Sequence, residues 1–381
     1  MTQPAALVLS FSPVATDPRV MRQVRALEGR FTVTVAGFGV PPAGKVEFFA
    51  LPEGPARRSP RKLAGLARLA LRQYDAYLSS LPYVAAARTA LAGRRFNLVV
   101  CNDVQALPLA LEVAAGAPVL LDAHEYSPLE FEDRRHWRLL HAPFVDRICR
   151  EDLPRVRAMT TVARGVADAY RENYGAQAEV VYSAPPRAAL QPAPVLPGRI
   201  RMIHHGAALP SRRVESMMDA MRHLDARFEL DLMLVPGVPA YIDTLRRRAA
   251  GNTRVRFLPP VAMAEIVPAT NQYDVGLFLL PPTNFNYAHA LPNKFFEFIQ
   301  ARLAVAIGPS PEMKRLVEQY DCGVVADDFT PEAMARALNA LTPERLAQLK
   351  ANSHRAAEEL CWEKQEPVFL AAVERAMRAS R

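Results

Sequence analysis

The 381-residue chain is half hydrophobic and 23% charged, with a formal net charge of +8. That length exceeds what one core usually organises, so two domains are expected, and the composition excludes a disordered or collagen-like chain. No apolar run approaches the roughly 18–20 residues of a membrane-spanning helix. Met1-Thr2-Gln3-Pro4 runs straight into a strand-like segment without the basic stretch of a signal peptide. The four cysteines, Cys101, Cys149, Cys322 and Cys361, form no C-x-x-C pair, which predicts buried thiols in a reducing compartment. The charge favours anionic partners, but the basic residues are dispersed without interleaved aromatics, so a nucleic-acid module is not expected.

In the first half, strands are predicted at 6–11, 31–36, 97–101, 118–122, 158–162 and 179–182, with helices at 18–28 and 165–174 among the separating segments. Such alternation is the pattern of parallel-sheet α/β domains. After the first strand, Asp17 suits a helix N-cap and Pro18 the first helical position. The loop carrying Asp17 and Arg19 therefore ends at a helix N-terminus, where anions bind. It has no G-x-G-x-x-G, which disfavours a dehydrogenase-type dinucleotide domain. The segment 57–72 carries six basic residues (Arg57, Arg58, Arg61, Lys62, Arg68, Arg72) and Leu63, Leu66, Leu69 and Leu71, with no acidic residue between Glu53 and Asp75. It reads either as a basic amphipathic helix on an anionic membrane surface or as a solvated helix packed on its own domain. His124 and Glu125 follow the strand at 118–122, at the carboxyl edge where such sheets bind ligands. His124 there suits a ligand contact or proton shuttle, or a structural hydrogen bond.

Ala184-Pro185-Pro186, and then Gln191 to Gly198 with Pro192, Pro194 and Pro197, cannot form a helix or a central strand and reads as an interdomain linker. The expected divisions are 1–187, a linker at 188–198, 199–361, and a terminal segment 362–381. Second-half strands are predicted at 201–205, 229–235, 255–258, 274–280, 304–307 and 323–326. Gly206 after the first of these permits close backbone approach, and Arg212 in the following turn offers a bidentate fork to phosphate. His204 and His205 lack a third ligand at zinc spacing. In Leu291-Pro292-Asn293-Lys294, Pro292 suits the first helical turn. Asn293 and Lys294 would then sit at a helix N-terminus where amides, dipole and ammonium converge on one anion. Glu297 is a turn further, placed to accept hydrogen bonds from ribose hydroxyls. No aspartates are spaced as D-x-D, so Arg212 and Lys294, rather than a metal, are the candidates to neutralise a departing diphosphate.

Together these residues resemble the family-4 retaining glycosyltransferases of the GT-B fold, over nearly the whole chain. The resemblance rests on Asp17-Pro18-Arg19-Val20, Asp122-Ala123-His124-Glu125, Thr161-Val162-Ala163-Arg164-Gly165 and Arg212 with Glu215. It continues through Leu291-Pro292-Asn293-Lys294-Phe295-Phe296-Glu297, Gly308-Pro309-Ser310-Pro311-Glu312-Met313, Gly323-Val324-Val325 and Trp362-Glu363 before a final helix. It implies two Rossmann-like doubly wound α/β domains facing across a cleft. The first would bind the acceptor, the second a nucleotide-diphosphate sugar (UDP or GDP), and the terminal helix would return to the first domain.

By the same resemblance Arg212 would contact the diphosphate, Glu297 the ribose as second glutamate of E-x7-E, and His124 the transferring sugar. Gly206, His289, Leu291, Pro292, Asn293 and Lys294 complete the implied donor set, with His124, Arg212 and Lys294 as the catalytic candidates. Asp17, Arg19 and Glu125 would line the acceptor side. His289 stands where the first glutamate of E-x7-E belongs, and Ser183-Ala184 where many relatives have an asparagine. The implied activity is metal-independent, retaining transfer of a hexose-like sugar to an acceptor hydroxyl, with no cofactor, in glycan, cell-surface polysaccharide or glycoconjugate biosynthesis. The acceptor would be a glycan, a lipid-linked molecule or a small molecule. The expected location is cytoplasmic, peripheral at the inner face of the membrane through 57–72. Natural-product glycosylation and a catalytically degenerate nucleotide-sugar-binding protein are the alternatives.

Overall fold

A computed structural model describes residues 3–54 and 59–378. Arg57 and Arg58 of the basic run lie outside the described residues. The chain forms two compact units. The first comprises the described residues up to Tyr182, residues 284–286 and the last helix from Gln365; the second comprises 183–283 and 287–364.

The first unit is built on a seven-stranded sheet: β1 (Ala5–Pro13), β2 (Thr32–Phe38), β3 (Glu47–Ala50), β4 (Leu98–Asn102), β5 (Val119–Ala123), β6 (Ala158–Thr161) and β7 (Glu179–Val180). Its order is β3-β2-β1-β4-β5-β6-β7, with every pairing parallel. The second holds β8 (Ile200–Ala208), β9 (Phe228–Pro236), β10 (Val255–Leu258), β11 (Val275–Phe278), β12 (Ala304–Ile307) and β13 (Gly323–Val325), in the order β10-β9-β8-β11-β12-β13, again all parallel. Both are doubly wound. Chain order reverses between β1 and β4 in one sheet and between β8 and β11 in the other, and ligands of such sheets bind outside the carboxyl ends at that reversal.

Parallel strands covered on both faces read as continuous apolar runs. β4, Leu98-Val99-Val100-Cys101-Asn102, is buried throughout. The edge strand β3, with Glu47 and two half-exposed phenylalanines, has no such run and was not predicted. Asp17 caps the Pro18–Glu28 helix, its carboxylate accepting from the Arg19 and Val20 amides at 3.1 and 3.2 Å, and Pro18 is the first helical residue. The helix Asn293–Gln300 buries Phe295, Phe296, Phe298 and Ile299, each worth roughly 1.5–3 kcal/mol. It lies close to β11 because Gly276 has no side chain: a Cβ there would fall 2.2 Å from Phe298 Cγ.

The proline-rich stretch has neither helix nor strand. It is fastened to the second unit by buried Arg302, which donates to the carbonyls of Ala188 (2.6 Å) and Leu190 (3.2 Å), and by Gln300, whose amide oxygen accepts from Ala188 N at 3.0 Å. All four cysteines are free and buried. Among the described residues no helix is long and apolar enough to cross a membrane.

Candidate functional site

In the second unit, polar residues gather where β8 and β11 end. Gly206 has φ +118°, a left-handed conformation that glycine tolerates. A Cβ on it would meet Lys294 Nζ at 3.0 Å and Arg212 Nη1 at 4.0 Å, so two cations converge on this bare backbone. The Lys294 residue is only 6% exposed, and its ammonium has no hydrogen-bond partner among the described residues. It stands 4.6 Å over the Phe278 ring. Burial, then the Arg212 charge, push its pKa well below the ordinary lysine value.

Arg212 ends a short 3-10 turn, Pro210–Arg212, pinned by a 2.9 Å bond between Ser211 Oγ and the Tyr287 hydroxyl. Among the described residues no carboxylate forms an ion pair with Arg212 or Lys294. Pro292 caps the Asn293–Gln300 helix, rather than occupying its first turn as the sequence suggests. Asn293 and Lys294 are therefore its first two residues, whose amides a helix cannot satisfy internally.

Glu297, buried one turn into this helix, lies 3.5 Å from His205 Nε2. That contact is not an ion pair: burial, then Lys294, lower the His205 pKa to about 3, so the ring is neutral. His204 donates through Nδ1 to the Leu277 carbonyl at 2.9 Å, which fixes Nδ1 as the protonated nitrogen. Leu291 is buried beside Pro292, and His289 is half-buried with Nδ1 3.8 Å from Glu312 Oε1.

In the first unit the corresponding cluster lies past β4 and β5. Register aligns Asn102, Asp122 and Thr160 across three neighbouring strands. Asp122 accepts from Arg19 Nε and Nη2, both at 2.6 Å, from Thr160 Oγ1 at 2.6 Å, and from Gln23 Nε2. Burial would raise its pKa, but the Arg19 charge and bonds from His124 and Arg19 hold it well below the usual carboxylate range.

His124 is bracketed by acceptors: Nε2 is 3.2 Å from Asp122 and 3.0 Å from Asn102 Oδ1, and Nδ1 is 3.6 Å from Asp103. Burial opposes its charge, but Asp103 and Asp122 prevail and raise its pKa to about 9, making it an imidazolium at neutral pH. Asp103, at φ +68°, also accepts the His124 amide at 2.9 Å. A non-glycine residue in that conformation is held there by its surroundings.

Of the residues expected from sequence, Gly206, Arg212, Lys294 and Glu297 come together in the second unit. Asp17 is occupied by its cap bonds and by Ser12 Oγ at 2.8 Å. Arg19 is buried, bound to Asp122 and, through Nη1, to the Val181 carbonyl at 2.7 Å. It therefore braces the cluster from inside rather than lining an acceptor surface. Glu125 is exposed. Sequence reasoning passed over Asp103 and Glu312 as site residues. The positions of Asp103, one residue past β4, and Glu312, at the start of the Pro311–Tyr320 helix, were the available signals. Among the described residues no group of three or more His, Cys, Asp or Glu is arranged to hold a metal ion.

No family model matches the chain in sequence, and no curated protein does. Solved structures do match in shape. The Anabaena protein HepE, in complex with UDP and glucose, superposes with TM-score 0.69 at 13% identity, over 98% of this chain and 100% of that one. Sucrose-phosphate synthase from Thermosynechococcus elongatus gives 0.75 at 13% identity over the full length of both chains. The alpha,alpha-trehalose 6-phosphate synthase of Burkholderia multivorans gives 0.68 at 13% identity, again over both full lengths. The chain has the GT-B fold. Within this GT-B chain the Gly206–Lys294 cluster belongs to the second Rossmann-like unit and the His124 cluster to the first, each at its sheet's order reversal.

Proposed function

We propose that the protein is a retaining glycosyltransferase that moves a sugar from a nucleoside-diphosphate sugar to an acceptor hydroxyl. The observation that carries this reading is the convergence of Arg212 and Lys294 on Gly206, with the lysine buried and its ammonium without a hydrogen-bond partner among the described residues. A desolvated ammonium beside a guanidinium is costly until an anion joins them. HepE, a structure of the same fold, was solved with UDP-glucose.

In this reading the diphosphate rests on Arg212, Lys294 and the first amides of the Asn293–Gln300 helix, and Glu297 accepts from the ribose hydroxyls. During transfer the bond from the anomeric carbon to the β-phosphate oxygen breaks. The acceptor oxygen bonds to that carbon on the same face, and its proton passes to the departing phosphate. The fixed cations stabilise the charge that develops on the diphosphate, without a metal ion. His124, as an imidazolium, donates to a hydroxyl of the transferring sugar. The motif resemblance supports retention and a place in glycan, polysaccharide or glycoconjugate biosynthesis.

The test is thermal unfolding with UDP, GDP, ADP, dTDP and CMP, each with and without EDTA. One diphosphate should stabilise the protein equally in both conditions, and the matching sugar nucleotide should then yield a product whose anomeric configuration, read by NMR, equals the donor's. No shift with any nucleotide at millimolar concentration would overturn the reading.

A further inference from the structure

A cavity lies wholly within the first unit. It encloses about 220 Å³ and its wall is largely aromatic, with Tyr77, Tyr83, Phe131, Trp137 and Phe144 among its lining residues. An apolar cavity of roughly 150 Å³ holds a benzene ring, so this one seats about nine or ten carbons. Gln105, which follows β4 by three residues, is a polar point in the wall and donates to Glu130 at 3.0 Å. Burial first, then the Glu125 and Asp103 charges, raise the Glu130 pKa to about 8, so this carboxyl is largely uncharged at neutral pH.

Two helices flank the cavity. Pro60–Ala70 packs its Gly65 against Tyr77, where a Cβ would lie 3.3 Å from the ring, and Arg135–Leu140 contributes Trp137; the two pack together. Their outer surface is unusual in this protein. Leu63, Leu71 and Leu139 are 66%, 68% and 75% exposed, among the most exposed large apolar residues described. Around them stand Arg61, Lys62, Arg68, Arg72, Arg134, Arg135 and Arg138, and among the described residues none of these forms an ion pair. Arg134 stacks 4.7 Å over the cavity-lining Phe131, and burial, then the charges of His136 and Lys62, lower the pKa of His141, another lining residue.

We propose that this cavity seats the apolar chain of an anionic, lipid-linked acceptor, with Lys62 and Arg134 taking its phosphate and the exposed leucines meeting the surrounding lipid. An aromatic wall accepts a hydrocarbon chain, unpaired cations at its rim match a phosphate, and leucines ringed by arginines match an anionic bilayer surface. The assignment names the acceptor class for the glycosyltransferase reading and rests on it.

Trp137 reports occupancy directly. In a Trp362→Phe background it is the single tryptophan, and its emission is followed as geranyl phosphate, geraniol or 4-ethylphenol is added. Geranyl phosphate should give a saturable change, with half-saturation at least tenfold lower than geraniol. Lys62→Ala with Arg134→Ala should remove that advantage. Val145→Phe, which fills the cavity, should raise half-saturation at least tenfold, with Leu81→Phe as the second variant if Val145→Phe melts early by circular dichroism. Absence of saturation by geranyl phosphate, saturation undiminished in the folded filled variant, or tighter binding of 4-ethylphenol would each overturn the assignment. The readout needs neither donor nor turnover, so its failure is distinct from failure of the nucleotide thermal shifts.

Discussion

A buried lysine whose ammonium has no hydrogen-bond partner among the described residues, such as Lys294, is stable as a neutral amine or with an anion beside it, and an adjacent guanidinium sharpens that choice. Removing either cation should therefore cost little stability and much catalysis. Arg212→Ala and Lys294→Ala are each expected to lower turnover by roughly 10²–10³, the scale of one lost charge-stabilising donor. Near-normal turnover in both would remove their leaving-group role. His124 presents the opposite case, a cation held by carboxylates. Its pKa is raised from an ordinary 6.5 to about 9, so its contribution is complete below about pH 6.5 and is lost as pH rises through 9. The shift corresponds to at most about 3 kcal/mol, or several degrees for a unit of this size. The melting-temperature gap between wild type and His124→Gln should accordingly be wide at pH 6 and narrow by pH 9.5. A gap independent of pH would mean that His124 is not charged in the folded protein.

At the scale of elements, the helix Asn293–Gln300 carries Lys294 and Glu297, and its seat is set by the contact of Phe298 with Gly276 on β11. Gly276→Ala places a methyl where the Phe298 ring stands and must displace the helix. The expected result is a loss of about 1–3 kcal/mol in urea unfolding and a weaker thermal shift with the nucleoside diphosphate, although residue 276 touches no ligand. Adding Phe298→Leu should recover part of both. This dependence also explains what the sequence could and could not disclose. Buried parallel strands announce themselves as apolar runs, and the Asp17–Pro18 cap is local, so both were legible. The 274–280 run was carried two residues past the end of its strand, because Leu279 and Leu280 are buried although they lie beyond β11. The burial of Lys294, the bracketing of His124 by Asp103 and Asp122, and the approach of Glu312 to His289 depend on strand register and helix seating. Apart from Asp122 and His124, which stand two residues apart, the partners are separated in the chain, and no local pattern encodes those contacts.

For the whole molecule, the separation into two units with separate cores has a consequence for ligand-linked stability. A ligand stabilises the unit whose folded form creates its site, by about 2.7 kcal/mol at 100 times its dissociation constant. For a unit of some 150–250 residues that is about 5–10 °C. The chain has two tryptophans, and each unit holds one: Trp137 in the first, Trp362 in the second. In Trp137→Phe the remaining emission follows the second unit, and in Trp362→Phe the first. The nucleoside diphosphate should raise the transition reported by Trp362 more than that reported by Trp137, because Gly206, Arg212, Lys294 and Glu297 all belong to the second unit. Geranyl phosphate should do the reverse, since the aromatic cavity is built entirely from the first. A larger nucleotide shift at Trp137 would relocate the donor to the His124 cluster and leave the buried Lys294 without the role its geometry suggests.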